Sequence, residues 1–219
     1  MRRPWCATVR NMLLVGLATS QCACPVIAWF TAQFGPKEKV AAKFDPPKDK
    51  RMLVFVDDIL SPVVYEPIKI ELTRRLNELF VEHKVARETV SYDRLADLIM
   101  ATPDFNRLAV SQVGQKVGAD TVLYLHIDRF SLHDRATEEL WKGRLQVTVR
   151  LTDVEKGRLW PKDREAGYLV DEVETPTRVT TSDTTADEIT QELAARMADR
   201  IAKLFYEHER PHEGAWSGD

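Results

Sequence analysis

The chain has 219 residues, 44 % of them hydrophobic and 30 % charged, with a net charge of −3. A body of this length buries a core without disulfide or metal staples. So small a charge, with no basic tract, argues against nucleic acid as a partner. The three cysteines, Cys6, Cys22 and Cys24, all fall at the N-terminal end. The rest of the chain is therefore predicted to hold no disulfide framework and no cysteine-based metal site.

The N-terminal end carries Arg2, Arg3 and Arg10 and no acid, then the apolar run Met12-Leu-Leu-Val-Gly-Leu-Ala18, then Thr19-Ser-Gln-Cys22-Ala-Cys24. A basic start, a short apolar centre and small residues before a break form the pattern of a secretory signal. Because the small residues lead into a cysteine, the segment resembles a bacterial lipoprotein signal. That resemblance makes Cys22, with Cys24 as the alternative, the acylated residue and new N-terminus. A second reading keeps the segment: Met12 through Phe34 is free of charge and long enough to span a bilayer. The arginines then hold the N-terminus inside, so both readings place the body outside the cytoplasm, facing the periplasm of a cell envelope. Loss of residues 1–21 removes three arginines and no acid, moving the net charge from −3 to −6. So acidic a body gives anionic lipid no general attraction, and attachment is expected to rest on the N-terminus.

The predicted domains are 1–24, signal or anchor; 25–51, a proline-rich tether; 52–208, an α/β domain; and 209–219, a frayed polar tail. Gly35 to Lys50, with Pro36, Pro46 and Pro47 among charges, reads as the extended part of the tether. Met52-Leu-Val-Phe-Val56 reads as a buried strand ending in Asp57-Asp58. Pro67 suits a helix start, and Ile68, Leu72, Leu76, Leu79 and Phe80 follow at helical spacing. Lys84 to Thr89 reads as a short strand. Ser91 can cap a helix carrying Leu95, Leu98 and Ile99. Thr102-Pro103 is expected to open another helix that buries Phe105, Val110, Val113 and Val117 before stopping at Gly118. Thr121 to Ile127 reads as a central strand. Leu145, Val147, Val149 and Leu151 alternate with polar residues as in a half-buried strand, and Glu155-Lys-Gly157 turns it into a hairpin. Gly167 to Glu174 is a further strand. Thr185-Ala-Asp-Glu188 reads as the capping box of a last helix through Ile189, Leu193, Met197, Ile201 and Leu204. The fold class is therefore α/β (α+β): one mixed sheet with helices packed against it.

Gly118-Ala-Asp-Thr-Val-Leu-Tyr-Leu-His-Ile127 and Val149-Arg-Leu-Thr-Asp-Val-Glu-Lys-Gly-Arg-Leu-Trp160 resemble two segments of one group of envelope lipoproteins. That group comprises the curli-secretion-channel (CsgG-like) and penicillin-binding-protein-activator (LpoB-like) types and the related TolB N-terminal fold. The resemblance spans about residues 52–207 and implies a CsgG/LpoB-like domain that docks on other envelope proteins. The channel type threads the membrane with two long hairpins. Here the link from Ile127 to Leu145 is short and charged, with Asp128, Arg129, Asp134, Arg135, Glu138 and Glu139, which argues against a pore.

Asp57-Asp58 ends the first strand, where ligands gather in α/β sheets. Neighbours on a strand point to opposite faces, so the pair is expected to be a solvated loop rather than an acid–base or cation site. His126 shares a strand face with Tyr124 but lacks the spacing of metal-ligand partners, and reads as a sheet histidine. Gly114-Gln-Lys-Val-Gly118 lacks the phosphate-loop spacing and ends a helix instead of opening one. No catalytic residue, metal or cofactor is assigned. Trp141, Trp160 and Tyr168 lie near strand ends and hairpins; they are core edges or, where exposed, the first interface candidates. The expected role is an anchored accessory lipoprotein that binds an envelope partner in transport, secretion or cell-wall assembly. The alternatives are a homo-oligomeric ring or pore component and an envelope enzyme or small-ligand binder at Asp57-Asp58.

Overall fold

A computed structural model describes residues 37–57, 66–133, 140–179 and 183–211. The described residues fall into two compact units, one within 41–206 and a smaller one holding 37–40 and 207–211. In the smaller unit, β1 (Lys37–Val40) pairs antiparallel with β10 (His208–Pro211), supported by the Glu38–Arg210 and Lys39–Glu207 ion pairs. This pair corrects two expectations. Residues 37–40 are paired rather than a loose tether, and 209–211 are a strand rather than frayed. No local pattern announces the pair, because short charged strands far apart in the chain lack an apolar alternation to betray them.

The larger unit holds an eight-stranded mixed sheet. Its elements are β2 (Arg51–Asp57), α1 (Pro67–Glu82), β3 (Glu88–Thr89), α2 (Tyr92–Ala101), a 3₁₀ turn at Phe105–Arg107, α3 (Val110–Val117), β4 (Thr121–His133), β5 (Leu140–Asp153), β6 (Gly157–Trp160), β7 (Tyr168–Leu169), β8 (Val173–Glu174), β9 (Arg178–Val179) and α4 (Asp183–Ala202). The strand order is β3-β2-β4-β5-β6, with β2 parallel to β3 and β4. β4 and β5 form a long antiparallel ribbon with irregularities after Ile127 and Ser131. The charged link between Ile127 and Leu145 is thus strand over 128–133 and 140–144. β6, β7, β8 and β9 lie end to end along the other edge of β5, all antiparallel to it. The single strand expected over 167–174 is two short pieces of this interrupted edge.

Two cores follow from the alternation. Met52, Val54 and Val56 on β2, with Leu123 and Leu125 on β4 and Leu145 to Leu151 on β5, face α1 and α4. Leu53, Phe55, Val122 and Tyr124 face α2, the 3₁₀ turn and α3 across a smaller core. The first face includes Ile68, Leu72, Leu76 and Phe80 of α1 and Ile189, Leu193, Met197 and Ile201 of α4, all 0 % exposed. Each such side chain contributes about 1.5–3 kcal/mol of burial. The expected tether also joins this core from Lys43 onward. The Lys43 and Phe44 N–H groups donate to the Leu204 carbonyl, Phe44 packs against the core and Pro46 is buried.

Several helix ends differ from the expectation. Ser91 stands at the α2 start with extended backbone but makes no side-chain cap hydrogen bond. The helix expected from Thr102 divides into the 3₁₀ turn and α3, whose true cap position is Ala109; its N–H donates to Gln112 Oε1. α4 begins at Asp183, so Thr185 lies inside it rather than at its cap. Lys84, expected in a strand, has φ +54° and closes α1, leaving only Glu88–Thr89 as β3.

The two motifs behind the family resemblance carry turns. Gly118 (φ +73°) is the left-handed stop of α3. Asp120 then ties three elements: its N–H donates to the Arg51 carbonyl, its Oδ2 accepts the Arg51 N–H at 2.8 Å, and its carbonyl accepts the Val154 N–H. Asp153 Oδ1 accepts the N–H groups of Glu155 and Lys156, shaping the hairpin that Gly157 (φ +82°) completes. α4 fastens the interrupted edge. Arg196 Nη1 donates to the Glu174 carbonyl, and Arg200 Nη1 to those of Asp171 and Glu172.

Candidate functional site

Asp57 is the last residue of β2 and shares a face with Leu53 and Phe55. It is only 7 % exposed and accepts a hydrogen bond from the Tyr124 hydroxyl on β4. Phe55 meets the Tyr124 ring edge-on at 5.5 Å, and the Arg150 guanidinium of β5 lies 4.5 Å from its centroid. Burial, then the Asp57 carboxylate, push the Tyr124 phenol well above its ordinary pKa, so it stays protonated and donates. The solvated-loop reading of Asp57 is corrected: the parallel register of β2 and β4 turns the carboxylate onto the smaller core, where Tyr124 meets it. Asp58 lies outside the described residues.

His126 sits beside Asp57 in register and opposite Thr148 on β5, half-buried. Thr148 Oγ1 donates to Asp128 at 2.8 Å. Among the described residues no three His, Cys, Asp or Glu side chains group as a metal site. The Gly114–Gly118 stretch is spent on packing. A β-carbon on Gly114 would fall 2.5 Å from Val122 and 2.8 Å from Val154.

The three aromatic candidates fall in two places. Trp141 lies far along the ribbon with its ring 4.4 Å from that of His133. Trp160 and Tyr168 are together, centroids 5.1 Å apart, and Trp160 also meets Phe205 at 5.6 Å and Phe44 at 6.5 Å. All three are half-buried and pack against the larger core. Lys43 hydrogen-bonds the Tyr168 hydroxyl with its Nζ 4.3 Å from the ring centroid, and Arg164 lies 5.7 Å from that centroid. Sequence reading missed both cations, since Lys43 was assigned to the tether and lies far from Tyr168 in the chain. Cys22 and Cys24 lie outside the described residues, and no described helix is long and apolar enough to cross a membrane.

No family model matches the chain, and no curated protein does. Among solved structures it is similar to a PelC dodecamer subunit from Paraburkholderia phytofirmans, at 11 % identity over 78 % of this chain and 99 % of that one, TM-score 0.37. It is similar to lipoprotein GNA1162 from Neisseria meningitidis, at 14 % identity over 69 % and 97 %, TM-score 0.40. It is also similar to uncharacterized lipoprotein B from Nitrosomonas europaea, at 9 % identity over 73 % and 83 %, TM-score 0.33. Likeness this distant leaves the functional argument to the residues of this chain.

Proposed function

We propose that the chain is a membrane-anchored accessory lipoprotein of a bacterial envelope. Its α/β unit faces the periplasm and binds a partner protein in transport, secretion or cell-wall assembly. The observation that carries this reading is the N-terminal sequence: Arg2, Arg3 and Arg10, the apolar run from Met12, and the cysteines Cys22 and Cys24. The disposition of the polar groups supports a binding role over catalysis. Asp57 is engaged by Tyr124, and Asp120 and Asp153 are committed to turns. The test is the mass of the N-terminal peptide from protein purified out of native membranes. An acylated peptide beginning at Cys22 or Cys24 supports the lipoprotein; an intact, unmodified N-terminus in the soluble fraction overturns it.

A homo-oligomeric reading is favoured by one feature. Val179 pairs with Leu140 and Leu169 with Thr148, on the sheet face away from α1 and α4, and these two aliphatics are 84 % and 52 % exposed. Light scattering of the detergent-solubilised chain discriminates: a monomer removes this reading and leaves the first intact.

A further inference from the structure

The neighbourhood of Tyr168 gathers cations from separate parts of the chain. Lys43 and Arg164 flank the ring, and Arg158 Nη1 donates to the Arg164 carbonyl at 3.0 Å. Lys162 lies between them in sequence and is exposed. Among the described residues, Lys43, Arg158 and Lys162 make no ion pair, and Arg164 approaches only its neighbour Asp163, at 3.7 Å. Asp163 and Glu165 offset part of this charge and leave a local positive surplus on a chain whose net charge is −3. Trp160 and Tyr168 border the same place. Lys and Arg beside Trp and Tyr is the composition that sits at lipid headgroups.

Connectivity keeps this cluster within reach of the anchor. The larger unit begins at Ala41, two residues before Lys43, and the chain preceding it leads to the apolar segment and the cysteines. At about 3.5 Å per residue, Lys43 lies within roughly 30 Å of contour from Phe34 and roughly 75 Å from Cys22. We propose that this face, made of Lys43, Arg158, Lys162 and Arg164 around Tyr168, rests on anionic lipid headgroups. The ammonium and guanidinium groups take phosphate oxygens, and the exposed edges of Trp160 and Tyr168 sit at headgroup level. The body as a whole is acidic, so the attraction is confined to this face and orients the domain. The proposal builds on the anchoring reading above.

The test reconstitutes the chain purified from native membranes, with its anchor in place, into vesicles of phosphatidylcholine alone, or with about 30 mol % phosphatidylglycerol. Lysine acylation by a water-soluble reagent is then followed residue by residue. In the anionic vesicles Lys43 and Lys162 are expected to react about fivefold more slowly, and Lys116 on α3 at an unchanged rate. Raising NaCl to about 0.5 M should abolish the protection, because exposed charge pairs are screened. The Lys162→Glu variant, whose native side chain makes no polar contact among the described residues, should weaken protection of Lys43 while the chain stays vesicle-bound. Equal Lys43 reactivity in both bilayers overturns the proposal. So does the same protection by inorganic phosphate without vesicles, which would mark a small-anion site. A chain absent from the vesicle fraction overturns the anchoring reading, and this one with it; a bound chain with unprotected Lys43 overturns this one alone.

Discussion

β5 runs so close to α4 that a β-carbon on Gly143 would lie 2.5 Å from Ile189 Cγ2, and 2.7 and 2.9 Å from Leu193 Cδ1 and Cγ. Both neighbours are 0 % exposed, so neither can swing into solvent. The Gly143 N–H also donates to Thr175 Oγ1 at 2.9 Å, and its carbonyl accepts the Thr175 N–H, which fixes the strand from its other side. Gly143→Ala must therefore part the strand from the helix, and overpacking of this kind costs about 1–3 kcal/mol. In a unit of this length that lowers Tm by about 2–12 °C, at about 2–4 °C per kcal/mol. Urea unfolding should show a lower midpoint at an unchanged slope. Ile189→Ala alone should cost about 2–5 kcal/mol through the cavity it leaves. In the double variant the new methyl group enters that cavity, so the combined cost should fall short of the sum by about 0.5–3 kcal/mol. A neutral Gly143→Ala, or two costs that add to within about 0.3 kcal/mol, would refute the close-approach argument.

Three further outcomes are expected. Asp120→Ala strands the part-buried Arg51 N–H and should cost about 1–3 kcal/mol in urea unfolding. Tyr124→Phe removes the donor to Asp57. Because the folded phenol titrates above its unfolded value of about 10, its contribution is whole below that pH and is lost as pH rises further; the stability gap to wild type should hold from pH 7 to about 10 and shrink above. The Lys142 and Arg144 cations hold Glu174 below the ordinary carboxylate range, so its contribution is present above about pH 4.3 and lost as pH falls; between about pH 6 and 3 wild type should lose more stability than Glu174→Gln.

The larger core was legible in the sequence because both of its helices keep a helical apolar period and β5 keeps a strict alternation. Gly118 and Gly157 were legible because each occupies a positive-φ position that favours glycine. The site was not. Asp57 and Tyr124 meet only through the register of two parallel strands far apart in the chain, which no local pattern encodes. Lys43 was hidden for a similar reason: a proline-rich stretch looks like a linker until the Leu204 carbonyl takes two of its N–H groups. Phe44 was the one aromatic there, and a single aromatic among charges is too little to outweigh that composition.

The guanidinium groups of Arg196 and Arg200 have a consequence for recognition. They occupy the carbonyls of Asp171, Glu172 and Glu174, where an incoming extended peptide would seek its donors' partners. A visitor adding itself as a strand would have to evict two cations and bridge an edge already broken into short lengths. Backbone-templated capture is thereby discouraged along this margin. Anything that docks on this margin must therefore recognise side chains rather than the generic chemistry of the peptide bond.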